Sequence, residues 1–220
     1  SWLPDLIYTD GRFQSDRALV CDGGKIVEIV EGAKAPDAIR LTRRAMLPGM
    51  VNAHSHAFQR VIRGRTEHRS QHTTDSFWTW REQMYAVTQR LNPDTYFALA
   101  RATFAEMALA GITVVGEFHY LHHSPSGRPY AEPNAMGDAL IAAAGEAGIR
   151  ITLLDTCYLA GGLTGEGHTA PDAIQQRFSD GSVGGCIGVA AHPERPPQRA
   201  REREEEAAGA ARGRGGSGDV

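Results

Sequence analysis

The chain has 220 residues, 41% of them hydrophobic and 22% charged, which is enough apolar content for a sizeable buried core. Its formal net charge of -3 gives no general attraction to nucleic acid or to an anionic membrane, so neither is expected as a partner. Cys21, Cys157 and Cys186 stand far apart with no C-x-x-C spacing, which argues against a disulfide framework or a zinc ribbon. No apolar run approaches the roughly 20 residues of a membrane span, and no basic-then-apolar leader is visible, so the sequence predicts a soluble, cytoplasmic protein.

Residues 1–48 read as the N-terminal part of a small β-sheet domain. The stretch RALVCDGGKIVEIVEG predicts a hairpin over residues 20–30, with Asp22-Gly23-Gly24 as its turn and Ile26, Val27, Ile29 and Val30 on one arm. These strands are too few to close a barrel.

The next stretch, LPGMVNAHSHAFQR, carries a Pro-Gly break, a short strand ending near Ala53, and then His54 and His56 with one residue between them. In an extended strand, positions i and i+2 share a face, so both imidazoles can reach one ion. Imidazole suits zinc, iron, copper or nickel, and a catalytic zinc takes about three protein ligands, so the pair implies further ligands elsewhere.

From here helices alternate with strands. Helices are predicted over residues 76–90 and 93–110, the second with Tyr96, Leu99, Ala100, Thr103, Phe104 and Met107 on one face, Asn92 as N-cap, Pro93 in its first turn and Gly111 at its end. ITVVGEFHY reads as a buried strand, residues 133–147 as a helix, and IRITLLDTCY as a further strand. Strand and helix in alternation imply a parallel sheet, and polar residues gather where its strands end: His54 and His56, His119 and Tyr120, then Asp155 to Tyr158.

AMLPGMVNAHSHAFQRVIRGRTE resembles the first-strand signature of the amidohydrolase superfamily, whose members place a His-x-His pair at the end of barrel strand one. HAFQR, DSFWTWREQMY, AGITVVGEFHYLHH and LLDTCYLAGG extend the likeness to the formimidoylglutamate deiminases of histidine degradation, over residues 6–178. The resemblance implies an α/β fold: the N-terminal half of an amidohydrolase-type (β/α)8 barrel over residues 49–192, preceded by a small β-sheet of β-sandwich type. By the same resemblance His54 and His56 match two zinc ligands, Gln59 a contact to the formimino end of the substrate, Arg81 an arginine that binds its carboxylate, and Tyr120 a substrate-binding tyrosine. The plainer roles for these residues are core histidines, a first-turn glutamine, a solvated helix-face arginine and a rim tyrosine. The implied ligands are one Zn2+ ion and a small-molecule substrate bearing carboxylates, with homodimers expected among full-length relatives.

A complete barrel takes about 250 residues, and later strands would carry the proton shuttle, a third histidine and an aspartate. The sequence therefore reads as an incomplete copy, inactive by itself. GCIGVAAH is predicted as a fourth strand, and His192 with Arg195 reproduces the family's His-x-x-Arg substrate-binding spacing. Residues 193–220, rich in Arg, Glu, Ala, Gly and Pro, read as a low-complexity tail. His122 and His123 are expected in a loop, His168 in a Gly-rich loop or lid, and His68 and His72 receive no role. Two other readings stand beside the deiminase: a related deaminase of an aminated ring, and a non-catalytic truncated product.

Overall fold

In the computed structural model, which describes residues 1–66 and 76–185, the chain divides into one unit over Ser1–Gly49 and a second that starts at Met50. The first unit holds β1 (Trp2–Thr9), β2 (Arg12–Gln14), β3 (Arg17–Asp22), β4 (Lys25–Glu31) and β5 (Ile39–Met46). They form one sheet in the order β2-β1-β3-β4, with β5 pairing parallel to β1. The expected hairpin is the β3–β4 pair. Asp22 faces Lys25 across Gly23 and Gly24, whose φ values of 52° and 76° are what a two-residue primed turn needs at both central positions. Ile7 and Ala18 are buried in this unit, whereas Ile26 and Val27, counted among the apolar arm, lie exposed on the strand at the end of that order.

The second unit follows the strand–helix rhythm of the sequence: β6 (Met50–Ser55), a 3-10 turn (Ala57–Ile62), α1 (Phe77–Thr88), α2 (Pro93–Leu109), β7 (Ile112–His119), α3 (Ala135–Ala147) and β8 (Arg150–Asp155). β6, β7 and β8 pair parallel in sequential order, the arrangement of successive (β/α)-barrel units. A short hairpin follows, β9 (Gly162–Thr164) with β10 (Gly167–Thr169), and then a 3-10 turn at Gln175–Phe178. The expected fourth strand lies outside the described residues. No helix of the described residues is long and apolar enough to cross a membrane.

Helix boundaries follow local chemistry. Asn92 caps α2 by accepting the Thr95 amide at 2.9 Å while Thr95 Oγ1 accepts the Asn92 amide at 2.9 Å, and Pro93 occupies the first turn. Ser76 and Thr79 form the same reciprocal box on α1, which closes at Thr88, two residues short of the expected end. α3 starts at Ala135, because Pro133 and Asn134 belong to the preceding turn, and it stops at Gly148 in the left-handed region (φ 78°). On α2 the residues Tyr96, Phe97, Ala100, Thr103 and Phe104 turn inward and meet Leu140, Ala143 and Ala144 of α3 and Val115 of β7 in one core.

Side-chain alternation divides β7 between two environments. Val115, Glu117 and His119 are buried toward the helices, while Val114, Gly116 and Phe118 alternate onto the opposite face, the interior side of a barrel. Gly116 is required for close pairing: a Cβ there would stand 2.8 Å from the Ala53 carbonyl oxygen on β6. We expect Gly116→Ala to pry β6 from β7 beside the histidine pair and to lower stability by about 1–3 kcal/mol, measured by urea unfolding. An unchanged midpoint would show that the strands separate without cost.

Candidate active site

His54 and His56 do share a face, although not through a uniform pleat. The β6–β7 register shifts between Asn52 and Ser55. Before the shift Asn52 points toward the helices, where its amide contacts Met107 Sδ at 3.7 Å. After it, Ser55 is buried and both histidine rings lie against Phe118, at centroid distances of 5.7 Å and 5.3 Å. The irregularity thus aims the pair at the barrel interior. β6 also runs to Ser55, so His54 lies within the strand rather than after it.

The two Nε2 atoms are 3.0 Å apart on rings inclined at 83°. His56 Nδ1 donates to the Phe118 carbonyl at 3.2 Å, which fixes the proton on Nδ1 and leaves an Nε2 lone pair facing His54. Burial, with His54 close by, lowers the His56 pKa, and the bond to Phe118 opposes this, so the net direction favours the neutral ring that a metal requires. Two convergent imidazole nitrogens, one with its tautomer set by a carbonyl, fit a divalent cation such as zinc as part of its ligand set.

Behind the pair sits Glu117, which the sequence reading passed over. It is fully buried, and its Oε1 accepts the Ala57 amide at 2.6 Å. Burial raises its carboxyl pKa, opposed by hydrogen bonds from the Ser55 side chain and the Ala57 backbone. The carboxylate therefore grips the chain immediately after His56. An acid within the apolar run ITVVGEFH was the available signal, since a buried carboxyl needs a dedicated partner. Arg60 anchors the same 3-10 turn to α2 through two bonds to Glu106, at 2.8 Å and 2.7 Å.

A cavity of ≈ 380 Å³ opens beside His56 and is lined also by Gln59, Arg81 and Tyr120, so four of the expected residues meet around one space. Gln59 Nε2 donates to the Tyr120 hydroxyl at 3.4 Å. Arg81 Nε donates to the Tyr85 hydroxyl at 2.8 Å, and its guanidinium lies 4.8 Å from the Tyr85 ring centroid and 5.4 Å from that of Trp78. Its terminal nitrogens make no hydrogen bond among the described residues. Burial pushes the pKa values of Tyr120 and Tyr158 up to about 12, so both present neutral hydroxyls at ordinary pH. Trp78, Trp80 and Phe178 complete an aromatic wall.

His192 and Arg195 lie outside the described residues, as do His68 and His72. His168 sits exposed on β10, paired with Leu163. His122 and His123 lie in a loop, as expected. They follow β7 without regular structure, but they are 3% and 7% exposed and folded beneath the residues around Arg177, whose carbonyl accepts both their backbone amides.

Successive parallel βα units, with a histidine pair at the carboxyl end of the first strand, are the arrangement of a (β/α)-barrel whose first strand presents candidate metal ligands. The chain belongs to the amidohydrolase family, whose profile matches residues 45–212. It is 42% identical over 173 residues to the formimidoylglutamate deiminase of Pseudomonas aeruginosa, a match that covers 79% of this chain and 37% of that protein. An 8-oxoguanine deaminase of the same organism is 28% identical over 128 residues, covering 55% of this chain and 28% of the relative. Among solved structures, an amidohydrolase from Brucella melitensis superposes with a TM-score of 0.74 at 35% identity, covering 86% of this chain and 42% of the other. The architecture is thus the N-terminal part of an amidohydrolase-type barrel, and the chain spans well under half the length of these relatives.

Proposed function

We propose that this chain forms the zinc-holding and substrate-binding part of a hydrolase that converts N-formimidoyl-L-glutamate and water to N-formyl-L-glutamate and ammonia. The observation that carries this reading is the convergence of His56, Gln59, Arg81 and Tyr120 on one cavity, joined to the 42% identity with a formimidoylglutamate deiminase. His54 and His56 would hold the ion, with remaining ligands from outside the described residues. When bound, such an ion supplies Lewis acidity and a water acidic enough to attack near neutral pH.

The chain's own groups then divide the substrate between them. Arg81, held in place by Tyr85 and Trp78, presents its unengaged guanidinium edge to a carboxylate, which matches its planar fork. The linked Gln59 amide and Tyr120 hydroxyl offer neutral hydrogen bonds to the formimino head beside His56. The aromatic wall excludes water along the substrate's methylene stem.

The test is calorimetric titration of the zinc-supplemented chain with N-formyl-L-glutamate, alongside an assay of ammonia release from N-formimidoyl-L-glutamate. Arg81→Ala is expected to weaken product binding at least about tenfold, as removal of a charged hydrogen-bond partner should. Equal binding by Arg81→Ala would remove the carboxylate role. The aromatic lining and the 8-oxoguanine deaminase likeness favour a second reading, deamination of a planar aminated ring. Binding of guanine or 8-oxoguanine with indifference to the glutamate compounds would decide for it.

A further inference from the structure

On the opposite side of the β6–β8 sheet from the histidine pair lies a second cluster that the proposed reaction does not use. His119, His122 and Asp155 each offer one ligand atom, all within 4.8 Å of one another. His119 ends β7 on its helix-facing side, and Asp155 ends β8, with the same parity as Ile151 and Leu153, which pack on the core. We propose that these three side chains form a divalent-cation site, of zinc type by its nitrogen and oxygen donors, separate from the His54–His56 pair.

The hydrogen bonding leaves this cluster short of a cation. His122 Nε2 donates to the Thr156 carbonyl at 3.0 Å, so in a singly protonated ring Nδ1 carries a lone pair. That lone pair faces Asp155 Oδ1 at 3.5 Å. Either a proton on Nδ1 or a cation between the two atoms resolves that opposition, and the spacing suits a cation, since ligands about 2.0–2.2 Å from a tetrahedral zinc stand roughly 3.3–3.5 Å apart. His119 is 3% exposed, and its Nδ1 is buried without a hydrogen-bond partner among the described residues.

Charge balance points the same way. Next to the triad, His123 Nε2 lies 3.2 Å from Asp180 Oδ1, while Asp180 Oδ2 is buried and unpartnered among the described residues. Asp155, exposed at the end of β8, and Asp180, whose side chain is buried, stand close to three imidazoles. A divalent ion would give the Asp155 carboxylate and the His119 and His122 rings a common partner, tying β7 to β8.

The experiment uses the full chain carrying His54→Ala and His56→Ala, so that metal bound elsewhere is what is read. After saturation with Zn2+ and dialysis, one retained equivalent is expected, and X-ray absorption should report imidazole and carboxylate donors. With Co2+, a visible ligand-field band is expected. Adding Asp155→Asn or His122→Gln should abolish that band and weaken Zn2+ binding at least about tenfold. Zn2+ should also raise the thermal midpoint of the His54→Ala/His56→Ala chain, but not that of the chain with Asp155→Asn added. Absence of retained metal in the His54→Ala/His56→Ala chain, or absorption without imidazole donors, would overturn the proposal whatever the other variants do. So would equal affinity after Asp155→Asn. None of these readouts involves ammonia release, so failure here is distinct from failure of the hydrolase reading.

Discussion

Replacing Arg177 with methionine is expected to cost about 3 kcal/mol or more of folding stability, read as a lower urea midpoint in circular dichroism. Arg177 is completely buried, yet it faces no carboxylate through a hydrogen bond among the described residues. Its Nε donates to the His123 carbonyl at 3.0 Å, Nη2 to the Leu91 carbonyl at 2.6 Å, and Nη1 to the Thr88 carbonyl. One side chain therefore gathers the end of α1, the link into α2 and the segment after β7. Burial lowers its pKa, which measures the cost of keeping the guanidinium from water. Methionine would relieve that cost and fill much of the space, but it would leave the His123 and Leu91 carbonyls without a donor among the described residues, at about 1–3 kcal/mol each, while the Thr88 carbonyl keeps the Leu91 amide at 3.0 Å. We expect the second effect to win. A methionine variant as stable as the parent would mean that desolvation of the charge already cancels the three bonds. Arg177→Lys should recover only part of the loss, because an ammonium lacks the fork that reaches three separated acceptors.

Glu117→Ala is expected to weaken Zn2+ binding at the His54–His56 pair by about 10–100-fold, the range for groups that orient ligands without touching the ion. The carboxylate holds the Ala57 amide, directly after His56, at 2.6 Å. Without it the Nδ1 bond to Phe118 must orient that ring alone. Glu117→Gln keeps an acceptor for Ala57 and should retain most of the affinity. A competition titration with a chromophoric chelator measures the effect, with His54→Ala/His56→Ala supplying the baseline. Equal affinity in the alanine variant would show that the turn holds itself. Parallel losses in the alanine and glutamine variants would show that charge, rather than positioning, matters.

The sequence was most informative where a single local rule decides the outcome. Asn92-Pro93 and Gly111 bracketed α2 because caps, a first-turn proline and a left-handed glycine act within a few residues. The β7 span followed its apolar run closely, since buried parallel strands are near-continuous hydrophobic segments. Motif likeness brought His56, Gln59, Arg81 and Tyr120 forward, and the fold sets all four on one cavity. What periodicity could not supply was direction across sequence distance. Glu117 and Arg177 appear in a sequence as an ordinary acid and base, and only packing shows that both are fully buried. His122 and His123 were expected in a loop because Ser124 and Pro125 follow them. The bonds that bury them run to residues more than thirty positions away, at Thr156, Arg177 and Ser179.

The alternation along β7 limits how this strand can change length. Its eight residues pass polar functions to opposite sides in turn: the Phe118 face backs the His54–His56 pair, while Glu117 and His119 project toward the helices. Substitution can alter one side while sparing the other. Insertion or deletion of a single residue cannot, because a one-residue slip moves every following side chain to the other face. It would turn Glu117 into the barrel and carry Phe118 into the helix layer. Single-codon length changes within Ile112–His119 should therefore be purged in functional selections, while the hairpin at Gly162–Thr169, whose Leu163 and His168 are exposed, should accept them.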